Sequence, residues 1–114
     1  MAIIIKIDNP SSLLTAIKKS IDEKSILTWS YDNDGDFKHT TSNGQWEDKA
    51  WLRPKISIGE LRFGLLGVKD TKMTEEIYGI YHGRFTEMLI THFSLKFTTL
   101  TVTSRKSESD NFQY

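Results

Sequence analysis

Tyr81, His82, Gly83 and Arg84 stand in one run, and Glu87 follows three residues after the arginine. A histidine can move a proton near neutral pH, an arginine fork suits a phosphate or carboxylate, and a glycine lets a ligand approach the backbone. If residues 76–82 form a strand that enters a helix at Gly83, the first helical N–H groups and the helix dipole face whatever sits above the joint. Tyr81, Gly83 and Arg84 would then bind an anion, with His82 and Glu87 as acid–base partners. The competing reading makes Gly83 a turn residue and Arg84/Glu87 a surface pair.

A second group is Trp51, Arg53 and Lys55, which alternate along one strand face, with Arg62 on the expected return strand. Tryptophan and arginine are common anchors of protein interfaces, and rings on a sheet face can also stack bases. The alternative buries Trp51 beneath the loop of residues 67–74.

The run Asp32-Asn33-Asp34-Gly35-Asp36 offers three carboxylates. Counted from Asp32, the sixth and twelfth positions of a calcium loop hold Phe37 and Asn43 instead of glycine and glutamate, so a hairpin turn is expected. The three histidines, His39, His82 and His92, show no metal-ligand spacing, and His92 falls on an apolar helical stripe that assigns it to packing. Without cysteine there is no disulfide, thiolate nucleophile or cysteine-bound zinc. No nucleophile elbow, phosphate loop or dinucleotide fingerprint occurs, and no cofactor or metal is expected.

These residues need a scaffold. A chain of 114 residues suits one domain. Lys+Arg and Asp+Glu number 15 each, a balance unlike that of proteins that coat nucleic acid. Four apolar residues between Met1 and Lys6 are too few for a signal core or a membrane span, so a cytoplasmic setting is expected.

Alternation at residues 2–8 predicts a strand. Asn9-Pro10, with Leu13, Leu14, Ile17 and Ile21 at helical spacing, predicts a helix over residues 10–24. Residues 26–31 and 37–41 read as a hairpin, and Ser42-Asn43-Gly44-Gln45 as a loop. Residues 50–56 and 61–66 read as a second hairpin whose Pro54 marks an edge or bulge. A strand over 76–82, a helix over 84–97 and a strand over 98–104 follow. The order β-α-β-β-β-β-β-α-β predicts an α+β two-layer sandwich, a mostly antiparallel sheet with two helices on one face. The open face would carry Trp51, Arg53 and Arg62 with some of Trp29, Tyr31 and Tyr81. Residues 1–104 form the domain, and 105–114 a polar tail expected to fray.

The sequence therefore favours a small non-catalytic binding protein of inhibitor, immunity or adaptor type. It would act on a protein partner, or a second copy as a homodimer, through Trp51, Arg53 and Arg62. The alternative is a small-ligand protein or enzyme using the 82–84 joint.

Overall fold

The computed structural model describes residues 2–41 and 44–114; the Ser42-Asn43 half of the expected loop lies outside them. The elements are β1 (Ala2–Lys6), α1 (Pro10–Asp22), β2 (Trp29–Tyr31), β3 (Phe37–His39), β4 (Ala50–Ser57), β5 (Glu60–Gly67), α2 (Glu75–Phe93) and β6 (Leu100–Val102). The six strands make one antiparallel sheet in the order β2-β3-β4-β5-β1-β6.

Period-2 alternation turns Ile3, Ile5, Trp29, Phe37, Leu52, Leu61, Phe63 and Leu65 to one face, where all are buried. Both helices cover that face. Phe85 of α2 meets the rings of Trp29, Phe37 and Phe63 at 4.8, 5.5 and 4.7 Å between centroids. From α1, Asp22 accepts the Tyr31 hydroxyl at 2.7 Å, and Leu13 and Ile17 join the same core.

The first helix forms as its start signal requires. Asn9 Oδ1 accepts the Ser12 N–H at 3.1 Å and Pro10 opens the helix. Pro54 is also accounted for. Along the β4–β5 register the backbone groups of Leu52 and Pro54 turn away from β5, and among the described residues β3 pairs with β4 at Leu52 alone. The missing N–H therefore falls where β4 has become an edge.

The expected strand over 76–82 is a correction, because those residues are the first half of α2. Thr74 caps this helix through Oγ1, which accepts the Ile77 N–H at 3.1 Å, and Glu75 and Glu76 complement the dipole in the first turn. Buried Tyr78, Tyr81, His82, Phe85, Met88, Leu89 and Phe93 keep three- and four-residue steps through Gly83. The aromatic and β-branched content of 77–81 suggests a strand locally, but packing selects the helix. The sheet accordingly has one strand fewer than expected. Trp29 and Tyr81 belong to the core rather than the open face, and His92 is exposed rather than packed.

Residues 105–114, expected to be a free polar tail, are docked against β5. Beyond the Ala2–Gly64 pair, β5 continues for three residues, and the C-terminal segment supplies their partners. The Asn111 N–H donates to the Leu65 carbonyl at 2.9 Å, and the Gly67 N–H donates to the Asn111 carbonyl at 2.9 Å. Leu66 and Asn111 thus form a parallel bridge. Phe112, 6% exposed, closes the end of the core against Tyr78.

Candidate functional site

Trp51, Arg53 and Arg62 lie on the sheet face opposite the helices, as the alternation of β4 and β5 requires. Trp51 is partly buried and Arg53 exposed. Trp51 and Arg53 line an open cleft of about 640 Å³ with Asp32, Asp34 and Asp36 on one side. Its other wall is formed by Val68, Lys69, Asp70 and the C-terminal segment at Asn111–Gln113, numbered 111–113.

The arginines are not free forks. Arg53 Nε and Nη2 donate to Asp36 Oδ1 and Oδ2 at 2.9 and 2.8 Å, a bidentate pair. Asp36 is buried, so Arg53 compensates a carboxylate that would otherwise be desolvated alone. Arg62 Nε donates to Glu60 Oε2 at 3.1 Å and Nη1 to Ser109 Oγ at 3.3 Å. Lys6 and Arg62 together hold the Glu60 carboxyl below its usual range. With Arg53 and Asp36 cancelling, Asp32, Asp34 and Asp70 outnumber Lys69, and the cleft is acidic rather than basic.

The acidic loop is built as a turn. Asp32 Oδ1 accepts the N–H groups of Asp34 and Asp36 at 2.9 and 3.0 Å, and Gly35 takes φ 83°. Carboxylate oxygens of Asp32, Asp34 and Asp36 lie within 4.8 Å of one another, but two of the three are already committed to N–H donors or to Arg53.

The run Tyr81-His82-Gly83-Arg84 lies inside α2, so it contains no helix start and offers no free N–H groups. The Tyr81 hydroxyl donates to the Trp46 carbonyl, and its phenol is pushed up, first by burial. His82 is 2% exposed and stacks on Tyr78 at 4.6 Å, and its Nδ1 lies 2.8 Å from the Tyr78 carbonyl. A carbonyl only accepts, so Nδ1 carries the proton. Gly83 is exposed, with nothing within 4 Å of the place a Cβ would take.

Arg84 and Glu87 are brought together with a different histidine. They line a pocket of about 220 Å³ with Thr28, Thr41, Gln45, Trp46 and His39. His39 packs on Trp29 at 4.4 Å, and its Nδ1 lies 2.8 Å from the Thr28 carbonyl, which fixes the proton there. Burial lowers its pKa and the Arg84 charge lowers it further, while the Thr28 hydrogen bond, Glu47 and Glu87 act the other way. His39 is therefore neutral at pH 7, with Nε2 as its lone-pair nitrogen.

Two features escaped the sequence reading. One is the pocket that His39 and Arg84 share, which depends on tertiary approach. The other is the C-terminal segment, for which signals exist: Phe112 and Tyr114 interrupt a polar run, and Gly64 and Gly67 interrupt an apolar strand, a mark of close backbone approach. A comparison with protein-family models, curated proteins and solved structures finds no match for the chain.

Proposed function

We propose that the chain is a small non-catalytic binding protein that engages a protein partner through the open sheet face, with Trp51 at the centre of the contact. The observation that supports this is a tryptophan bordering a cleft of about 640 Å³ on the face that carries no helix. A large ring bordering an open cleft is typical hot-spot material. The excess of Asp32, Asp34 and Asp70 over Lys69 suits a partner surface that presents a basic side chain. An inhibitor, immunity or adaptor role in the cytoplasm fits this reading, and a second copy is one candidate partner. Arg53 acts through Asp36, holding the acidic loop beside the tryptophan. The test is to purify a protein captured by the wild-type chain and measure its affinity for the Trp51→Ala chain. A loss of about 30-fold, equivalent to about 2 kcal/mol, with an unchanged melting temperature supports the reading. Unchanged affinity removes it.

A second reading keeps the small-ligand alternative but moves it from His82 to His39. It rests on the pocket where neutral His39 meets Arg84 and Glu87. Nucleotides and organic phosphates are the first panel for a thermal-shift screen. A true ligand at a hundredfold excess over its Kd stabilises by about 2.7 kcal/mol, and a flat response across the panel eliminates this reading.

A further inference from the structure

The C-terminal segment meets β5 in a way that goes beyond covering an edge. We infer that the far end of β5 is a recognition groove for an extended peptide carrying aspartate two residues ahead of phenylalanine, and that Asp110, Asn111 and Phe112 are its resident, displaceable occupant.

Three kinds of contact define the groove. The first reads the aspartate. Asp110 Oδ1 accepts the Leu65 N–H at 2.7 Å, taking the place of a strand carbonyl. Oδ2 accepts the Ser107 N–H at 2.7 Å, which holds the approaching chain in a turn. The second contact reads only the backbone. Asn111 pairs with Leu65 and Gly67 on either side of Leu66, parallel to β5, and the Gln113 carbonyl accepts the Met73 N–H. The third reads the phenylalanine. Phe112 enters a socket bounded by Gly67, Met73 and Tyr78, with its ring edge-on to Tyr78 at 5.9 Å.

The groove floor is shaped for this occupant. A Cβ on Gly67 would stand 2.7 Å from the Phe112 Cβ, and a Cβ on Gly64 would stand 1.9 Å from the Ser109 carbonyl oxygen. Both glycines lie in the middle or at the end of a strand, where glycine is otherwise unfavourable. Main-chain pairing plus pockets for alternate side chains is how strand-addition sites bind peptides. The occupant is joined to β6 only by a polar stretch, residues 103–109, so release need not unfold the two helices. Asn111, Phe112 and Gln113 also form one wall of the Trp51 cleft, so an incoming peptide would remake that wall.

The experiment uses the full chain with Phe112→Ala, which weakens the resident segment, and a synthetic peptide of residues 106–114. Control peptides carry Phe112→Ala or Asp110→Ala. Isothermal titration is expected to show the matched peptide binding the variant at least tenfold more tightly than it binds wild type, and at least tenfold more tightly than either control binds. On binding, hydrogen exchange at the Leu65, Gly67 and Met73 amides should slow toward wild-type rates. The full chain with Asp110→Ala is run in parallel, so that a folding failure of one variant does not end the test. Equal binding of matched and control peptides, or no binding to a folded variant, overturns the inference. So does equally tight binding to wild type, because the peptide would then sit elsewhere.

Discussion

Replacing Phe112 by alanine should cost the fold far more than its place in a polar run suggests. The ring is 6% exposed and packs against Tyr78 and Tyr114 at 5.9 and 5.3 Å. Truncating a core phenylalanine costs about 3–5 kcal/mol. The lower end, about 3 kcal/mol, applies because a segment joined to β6 through the polar residues 103–109 relaxes by undocking, which limits the loss to what docking contributes. That leaves the domain folded if its stability lies in the usual range of about 5–15 kcal/mol. Urea unfolding followed by tryptophan fluorescence checks it, and with a slope of about 2 kcal/mol/M the midpoint falls by about 1.5 M. Gly64→Ala attacks the same segment from beneath, since its Cβ would stand 1.9 Å from the Ser109 oxygen. Because either change undocks the same residues, the double variant should lose little more than the worse single one. A loss below about 1 kcal/mol for Phe112→Ala, or full additivity of the pair, would refute a docked segment acting as one unit.

Three further outcomes follow from the geometry. Burial pushes the Asp110 carboxyl up to about 6, against the two N–H donors that favour its charged form. Its contribution is therefore fully present below the unfolded value of 3.8 and is lost as pH rises through about 6. The stability of wild type relative to Asp110→Asn should fall between pH 4 and 7 by about 1–2 kcal/mol after solvent screening, and a difference that rises instead contradicts this. His39 should titrate below 6.5 with its proton on Nδ1, so its share of stability is present above 6.5 and lost as pH falls through the lowered value. Arg84→Gln should raise that pKa in a carbon-detected NMR titration, and an unchanged value rules out their coupling. Arg53→Ala should destabilise by about 1–2 kcal/mol in denaturant melts, because it strands the buried Asp36 carboxylate while the arginine itself was largely in water. Full stability in that variant would show that Asp36 has found another partner.

Much of the scaffold was legible because its signals are local. Asn9-Pro10 starts α1, the Asp32–Asp36 run, numbered 32–36, makes its turn, and alternation in residues 50–66 sets which side chains of β4 and β5 face away from the helices. The same alternation correctly put Trp51, Arg53 and Arg62 on one face. What the arginines do there was not legible, since Asp36 and Glu60 reach them only once the turns have closed. The first half of α2 misled for a different reason. Ile77, Tyr78, Ile80 and Tyr81 with two nearby glycines resemble a strand, and only the continuation of the three- and four-residue spacing to Phe93 separates the two readings. The C-terminal segment is polar in composition yet fixed by one ring, one carboxylate and two glycines. Those contacts join residues about 45 positions apart, beyond the reach of any local window.

Binding by the open sheet face is proposed to run through Trp51. The most direct measurement is the Kd of the purified partner for wild type, Trp51→Ala and the surface control Lys24→Ala, each with its melting temperature. Trp51→Ala alone should lose about 30-fold in affinity, with melting within about 2 °C of wild type. Equal affinity of all three chains, or unfolding of the Trp51→Ala chain, would contradict it.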